Sequence, residues 1–195
     1  MLRRALISFW LTLCLAILPS LNAHAASSDE ILRTGFQQLL DATKQASSKN
    51  PVALAKATRP ILEQYIDFPS LTRRAFGISW KDLSPTDQKD ATQLFSEVVI
   101  RSYASKIKPE QAPSVKFSAP KNLDANHQEV VASVNNAGTE IQVSYRVESK
   151  GKSWMIYEIL VEGVSLTNSY RSQFDAIRSK SGAKSILESL RGMIR

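Results

Sequence analysis

The hydrophobic pattern of this 195-residue chain changes its period twice, and this change limits the possible folds more than any other feature. From Asp29 to about Lys106, apolar residues recur at helical spacing. From Val115 to Val161 they recur at every second position, as in strands that bury one face. Helical spacing returns after Val164. This order predicts an α+β fold, in which a curved antiparallel sheet of about four strands is wrapped by helices and encloses an apolar pocket.

The strongest helix signal is Ser84-Pro85-Thr86-Asp87, which places an N-cap serine, a proline at the first helical position and an acid at the third. It predicts a helix from Pro85 to about Lys106. Three further helices are predicted before it: one from Asp29 to about Ala46, one that Pro51 opens and Pro60 kinks or divides, and a short one between Asp67 and Gly77.

Two segments dominate the predicted sheet. Residues Ile141 to Val147 alternate between apolar and polar, which indicates an antiparallel strand with one solvent face. Residues Trp154 to Val161 are nearly all apolar, so this strand is expected to be covered on both faces. Two shorter alternating segments begin at Val115 and at Val130.

The N-terminus has the pattern of a secretory signal peptide. Two arginines precede an apolar run from Ala5 to Leu18, and Ala23-His24-Ala25 forms an A-x-A cleavage site. The run is shorter than the roughly 20 apolar residues that span a bilayer. Residues 1–25 are therefore expected to be cleaved, which leaves an exported protein with a single domain of residues 26–195.

The expected mature chain lacks the residues and motifs on which most catalytic chemistries depend. It has no cysteine and only one histidine, His127, so neither a zinc site nor a Ser-His-Asp triad is predicted. Glycine-rich phosphate loops are absent from the sequence. The net charge falls from +7 to +5 when the two leader arginines are removed, which suits an anionic lipid surface. No dense basic stripe indicates a nucleic-acid partner.

One alternative from the residues stays open. Glu158 and Glu162 lie four positions apart near the end of a predicted strand and share a face. Such carboxylates can act as acid and base, so a small-molecule enzyme on a cone-shaped α+β scaffold is conceivable, with Glu158 as the candidate. In that case the Glu158 carboxylate should point into the pocket. Otherwise it faces solvent or pairs with an arginine such as Arg146 or Arg171.

Three stretches resemble the MlaC family, also called the toluene-tolerance auxiliary family. They run from Asp67 to Trp80, from Ser84 to Ala104 and from Trp154 to Phe174, and in this order they cover nearly the whole expected mature chain. The third stretch is the most specific. Glu158 departs from the aspartate that is usual in the family, but it keeps the charge.

The resemblance implies a periplasmic carrier in a Gram-negative cell, which holds phospholipid tails in an apolar pocket. It implies transfer between an inner-membrane ABC transporter complex with an MCE-domain protein and an outer-membrane lipoprotein–porin complex. The expected protein is a monomer and not an enzyme, with no cofactor apart from phospholipid as cargo. Some family members are associated with hopanoids, so a hopanoid-related carrier stays open. A third alternative is an adaptor with a solid core that carries no lipid.

The walls of the expected pocket come from the helix that Pro85 opens, from the two dominant strands and from the elements beside them. The candidate lipid-binding residues are Phe68, Leu71, Phe76, Phe95, Val99, Tyr103, Val143, Tyr145, Val147, Ile159, Val161, Val164, Leu166 and Tyr170.

The segment Glu162–Phe174 is expected to form a structural joint beside this pocket. Gly163 allows a sharp exit from the strand, and Ser165 or Thr167 caps the helix that follows. Arg171 is expected to be a surface or ion-pair residue and not a catalyst.

Overall fold

A computed structural model describes residues 26–46, 50–106, 113–136, 138–151 and 153–194. The expected signal peptide, residues 1–25, lies outside the described residues, so its cleavage stays a prediction. The helices are α1 (Ser28–Ala46), α2 (Pro51–Tyr65), α3 (Phe68–Phe76), α4 (Pro85–Ala104), α5 (Leu166–Ser181) and α6 (Lys184–Met193), with a 3-10 helix at Gly77–Asp82. The strands are β1 (Ser114–Phe117), β2 (Lys121–Asn122), β3 (His127–Asn136), β4 (Thr139–Lys150), β5 (Ser153–Val161) and β6 (Val164–Ser165).

Side-chain caps begin the helices where the sequence predicts them. The Ser84 hydroxyl accepts a hydrogen bond from the backbone N–H of Asp87 at 3.2 Å, which caps α4. The Asp67 carboxylate accepts from the N–H of Ser70 at 2.9 Å, which caps α3. Each bond satisfies one of the donors that the first turn of a helix leaves without a partner.

Helix α2 runs through Pro60 as one helix, so this proline does not divide the segment. A proline inside a helix removes the hydrogen bond to the carbonyl four residues earlier, here that of Lys56. Both residues are exposed, so water can reach this carbonyl. The cost of the proline is therefore small enough for packing to offset.

The strands form one antiparallel sheet in the order β1-β3-β4-β5-β6, with β2 pairing with β3 beside β1. This confirms the predicted α+β fold with an antiparallel sheet. The sequence predicts about four strands, and the described residues form six. The two additional strands, β2 and β6, have two residues each, which is too short for an alternating pattern to be visible.

A β-bulge in β5 changes which side chains share a face. Arg146 pairs with Glu158, while the next residue of β4, Val147, pairs with Ile156, so Tyr157 is the extra residue. As a result Ile156 and Ile159 lie on the same side of the sheet, although they are three positions apart.

A cluster of aromatic rings in the core lies where α3, α4 and α5 meet. The rings of Phe76, Phe95 and Phe174 are fully buried there, with centroids 4.9 Å apart for Phe76–Phe174 and 5.9 Å apart for Phe95–Phe174. Tilted and edge-to-face ring pairs of this kind add to the free energy gained from apolar burial. This aromatic cluster packs the three helices against one another.

Candidate functional site

An apolar cavity of about 350 Å³ lies between the sheet and helices α1, α2 and α4. This volume is within the roughly 300–1,000 Å³ that is typical of small-molecule sites. A cavity of this size is not expected for the adaptor alternative, which requires a solid core. Its apolar lining includes Leu32, Phe36, Leu39 and Leu40 of α1, Ile61 and Leu62 of α2, Phe117 of β1, Val134 of β3 and Ile141 of β4.

Six of the candidate residues from the sequence line this cavity. They are Val99, Tyr103, Val143, Tyr145, Ile159 and Val161. Positions four apart on a helix lie on one face, and positions two apart on a strand do the same. The pairs Val99/Tyr103 on α4, Val143/Tyr145 on β4 and Ile159/Val161 on β5 therefore each lie on one face, and all three faces line the cavity.

The other eight candidates lie away from the cavity wall, so the structure does not bring them to the expected pocket. Phe68, Leu71, Phe76, Phe95 and Val147 are buried in the solid core. Leu166 and Tyr170 pack against that core, and the Tyr170 ring lies 4.8 Å from that of Phe95. Val164 is 62% exposed. Helix α3 packs mainly on α4 and α5. An apolar pattern in the sequence cannot distinguish a side chain in the core from one in a cavity wall.

The candidate residues chosen from the sequence include none from α1 or α2, although both helices line the cavity. The amphipathic stripe of α1 contained the necessary signal, because an apolar face needs something apolar to contact. Gly35 allows the two helices to approach closely, since a Cβ at this position would lie 3.0 Å from the Tyr65 ring. Tyr65 and Gly35 themselves line the cavity.

Among the described residues, the cavity lining contains hydroxyl groups but no carboxylate. Burial raises the pKa of Tyr103 to about 12. Burial, and after it the proximity of Tyr103, also raises the pKa of Tyr145 far above its usual value. Both phenols therefore stay neutral at physiological pH. The charged residues of the described lining are Lys44 and Lys106.

Glu158 lies outside the apolar cavity, in a polar pocket that Arg74, Arg146 and Arg171 also line. Its side chain is held in a network of hydrogen bonds and the residue is only 6% exposed. The carboxylate accepts from the N–H of Ile159 at 2.9 Å, the hydroxyl of Ser165 at 2.8 Å, the N–H of Thr167 at 3.3 Å and the hydroxyl of Thr167.

This network places a negative charge at the N-terminus of α5, where the helix dipole stabilises it. The Ser165 hydroxyl in turn accepts from the N–H of Asn168 at 3.0 Å, so Ser165 is the cap of the two residues that the sequence offered. Glu158 thus joins β5 to α5, and the geometry required for a catalyst inside the cavity is not met.

Among the described residues, the Arg171 guanidinium is bound to a backbone carbonyl and is in no ion pair. Its Nε donates to the carbonyl of Arg74 at 2.9 Å, and Nη2 donates to the same oxygen. Arg74 lies in the last turn of α3, so Arg171 satisfies a carbonyl that the end of the helix leaves free. The side chain reaches this position over Gly77, where a Cβ would lie 3.1 Å from Nε.

We expect Gly77→Ala to destabilise the protein by about 1–2 kcal/mol, because Gly77 has φ +52° and its hydrogen faces Arg171. Gly138→Ala is the matched control, since Gly138 also has a positive φ, +86°, but a methyl group added there would have no atom within 4 Å. Urea unfolding of both variants measures the difference. Equal destabilisation would show that the contact with Arg171 contributes nothing.

The described ranges contain neither a metal cluster nor a membrane span. No group of three or more His, Cys, Asp or Glu side chains in these ranges is placed to hold a metal ion. None of their helices is long and apolar enough to cross a membrane.

Comparisons with known proteins agree with this geometry. The family model described as MlaC protein matches residues 33–192. The toluene tolerance protein ttg2D of Pseudomonas putida is 21% identical over 177 residues, which covers 88% of this chain and 82% of that protein. The phospholipid-binding protein from Ralstonia solanacearum, solved in complex with a phospholipid, has the same fold with a TM-score of 0.79. It is 24% identical, and the match covers 87% of this chain and 97% of that one. Since the family model spans most of the sequence, the chain belongs to the MlaC family.

Proposed function

We propose that this protein is a periplasmic lipid carrier that holds the acyl tails of a phospholipid in the cavity between the sheet and α1, α2 and α4. The observation that carries the proposal is the cavity itself, whose described lining is apolar apart from a few hydroxyls and two lysines. Membership in the MlaC family and the lipid bound to the Ralstonia solanacearum protein support it.

The free energy of tail transfer explains why such a protein is needed. A phospholipid with two tails has roughly 28–30 methylenes, and at about 0.8 kcal/mol each their exposure to water costs on the order of 20 kcal/mol. No lipid crosses an aqueous compartment alone at a useful rate against this cost. An apolar cavity lowers this cost for the part of the tails that it encloses, and binding and release require no covalent chemistry. The carrier itself therefore has no need of catalytic residues.

The proposed route runs between an inner-membrane ABC transporter complex with an MCE-domain protein and an outer-membrane lipoprotein–porin complex. Family membership supports this route. The cleavable signal peptide predicted at residues 1–25 would bring the chain to the periplasm, where it acts as a monomer.

The proposal is tested on the full chain, expressed with its own leader in a Gram-negative host and isolated gently from the periplasm. Native mass spectrometry should show a polypeptide that begins at Ala26, bound to a ligand of phospholipid mass. Lipid extraction then identifies the ligand, and a hopanoid would indicate the related pathway. Protein that is free of lipid, and that takes up none from liposomes, would rule the carrier out.

A further inference from the structure

Four hydroxyl groups belong to the described lining of the cavity, and two of them have acceptors within the protein. The Thr43 hydroxyl donates to the carbonyl of Leu39 at 2.7 Å, one turn earlier on α1. The Tyr65 hydroxyl donates to Oε1 of Gln38 at 3.2 Å. These two groups are therefore satisfied without a ligand.

The other two hydroxyls, those of Tyr103 and Tyr145, have no hydrogen-bond partner among the described residues. A phenol that is enclosed by apolar groups normally has one, because a hydroxyl that leaves water without a new hydrogen bond costs free energy. The two residues lie on opposite walls of the cavity, Tyr103 on α4 and Tyr145 on β4. The pKa of Tyr145 is raised by burial and, after it, by Tyr103, so the two phenols are also near each other.

Both phenol oxygens remain accessible from open space. In the part of the chain that the structure describes, Oγ of Ser79 is the one side-chain atom that the protein encloses completely without giving it a partner. A side chain on a strand stands roughly perpendicular to the sheet, so the Tyr145 hydroxyl, at the tip of its ring, points from β4 towards the helices. A ligand in the cavity can therefore reach these hydroxyls.

The acyl region of a glycerophospholipid has the complementary chemistry. Burial raises the pKa of both phenols, so both keep their protons at physiological pH and can donate. Where the two tails join the glycerol, the lipid has two ester carbonyls, which accept hydrogen bonds and donate none. A buried water is a weaker match, because it needs two to four polar partners and this lining is mostly apolar.

We infer that the Tyr103 and Tyr145 hydroxyls donate hydrogen bonds to the ester carbonyls of a bound glycerophospholipid and make the cavity selective for ester-linked tails. This inference rests on the proposed function. It adds to that function a class of lipid that the cavity prefers and the two side chains that recognise it.

The test uses delipidated protein and vesicles of equal parts diacyl and dialkyl phosphatidylglycerol with tails of the same length. The two lipids share headgroup and charge, but the ether-linked lipid lacks the ester carbonyls. The bound lipids are extracted and counted by mass spectrometry. The double variant Tyr103→Phe/Tyr145→Phe gives the ratio of ester to ether lipid without the two hydroxyls. The wild-type ratio should exceed it about fourfold or more, because one neutral hydrogen bond contributes a factor of roughly two to ten in affinity.

The fold of the double variant should persist, because each phenylalanine keeps the ring and removes an oxygen that has no partner among the described residues. The melting temperature of the delipidated variant should be unchanged or higher. The matched control is Tyr170→Phe, since Tyr170 packs against the core and does not line the cavity. This control should keep the wild-type ratio of ester to ether lipid.

The outcomes separate this inference from the carrier function. If the double variant keeps the wild-type ratio, or if Tyr170→Phe lowers the ratio equally, the two hydroxyls do not select ester linkages and this inference is overturned. A clear fall in the melting temperature of the delipidated double variant would mean that the hydroxyls bond within the protein, which also contradicts it. If the wild type takes up neither lipid, the carrier function itself fails, and this inference fails with it.

Discussion

Val143→Trp is expected to reduce lipid binding on the order of a hundredfold. Val143 lies on β4 in the middle of the cavity wall, paired with Ala132 on one side and Val161 on the other. An indole ring at this position fills space that the acyl tails would occupy. If it excludes about four methylenes, the loss is about 3 kcal/mol at about 0.8 kcal/mol for each, or on the order of a hundredfold in affinity. Titration with a fluorescent phospholipid analogue measures this directly.

The fold of the variant must be shown to persist. A ring that enters an empty cavity replaces missing contacts, so the melting temperature should fall by no more than a few degrees. Val99→Trp, on the facing helix α4, provides an independent variant with the same expected loss. Val52→Trp is the matched control, because Val52 is 61% exposed and does not line the cavity. Unchanged lipid affinity in both cavity variants, with the fold intact, would place the tails elsewhere.

Glu158→Ala is expected to destabilise the protein by about 3 kcal/mol or more. The carboxylate accepts four hydrogen bonds, and its removal leaves the N–H of Thr167 without this acceptor in a buried region and its hydroxyl with only the Ser165 hydroxyl, 3.4 Å away. Each unsatisfied buried group costs about 1–3 kcal/mol. For a domain of this size the expected fall in melting temperature is roughly 6–12 °C. Glu158→Gln, which keeps the shape and one acceptor oxygen, should cost less.

Lipid binding distinguishes this structural role from a catalytic or lipid-contacting one. Glu158 lies in the polar pocket and not in the apolar cavity, so Glu158→Gln should bind phospholipid with wild-type affinity. Glu63→Ala is the control for stability, because Glu63 is exposed and pairs with Arg59 at 3.4 Å on the same helix. Such a pair contributes about 0.5 kcal/mol or less. A large loss of lipid from Glu158→Gln at unchanged stability would contradict the assignment.

Much of the fold was predictable because its signals are local. The cap at Ser84, the cap at Asp67 and the alternation of β4 each depend on residues close together in the chain. Six candidates on α4, β4 and β5 lie on the cavity wall for the same reason, since spacing fixes which side chains share a face. The bulge at Tyr157 left no such signal, because nothing in the local pattern marks the extra residue.

The sequence by itself determined the order of the elements, their buried faces and the absence of common catalytic motifs. Only the tertiary structure decided which apolar faces meet each other and which surround empty space. Phe95 and Val99 are one turn apart on α4, yet Phe95 packs against Phe174 while Val99 lines the cavity. Apolar burial has no direction, so an apolar side chain is equally satisfied by a neighbouring ring or by a lipid tail. The role of Glu158 was also decided by the tertiary structure, because it depends on a contact with the start of α5, nine residues later in the chain.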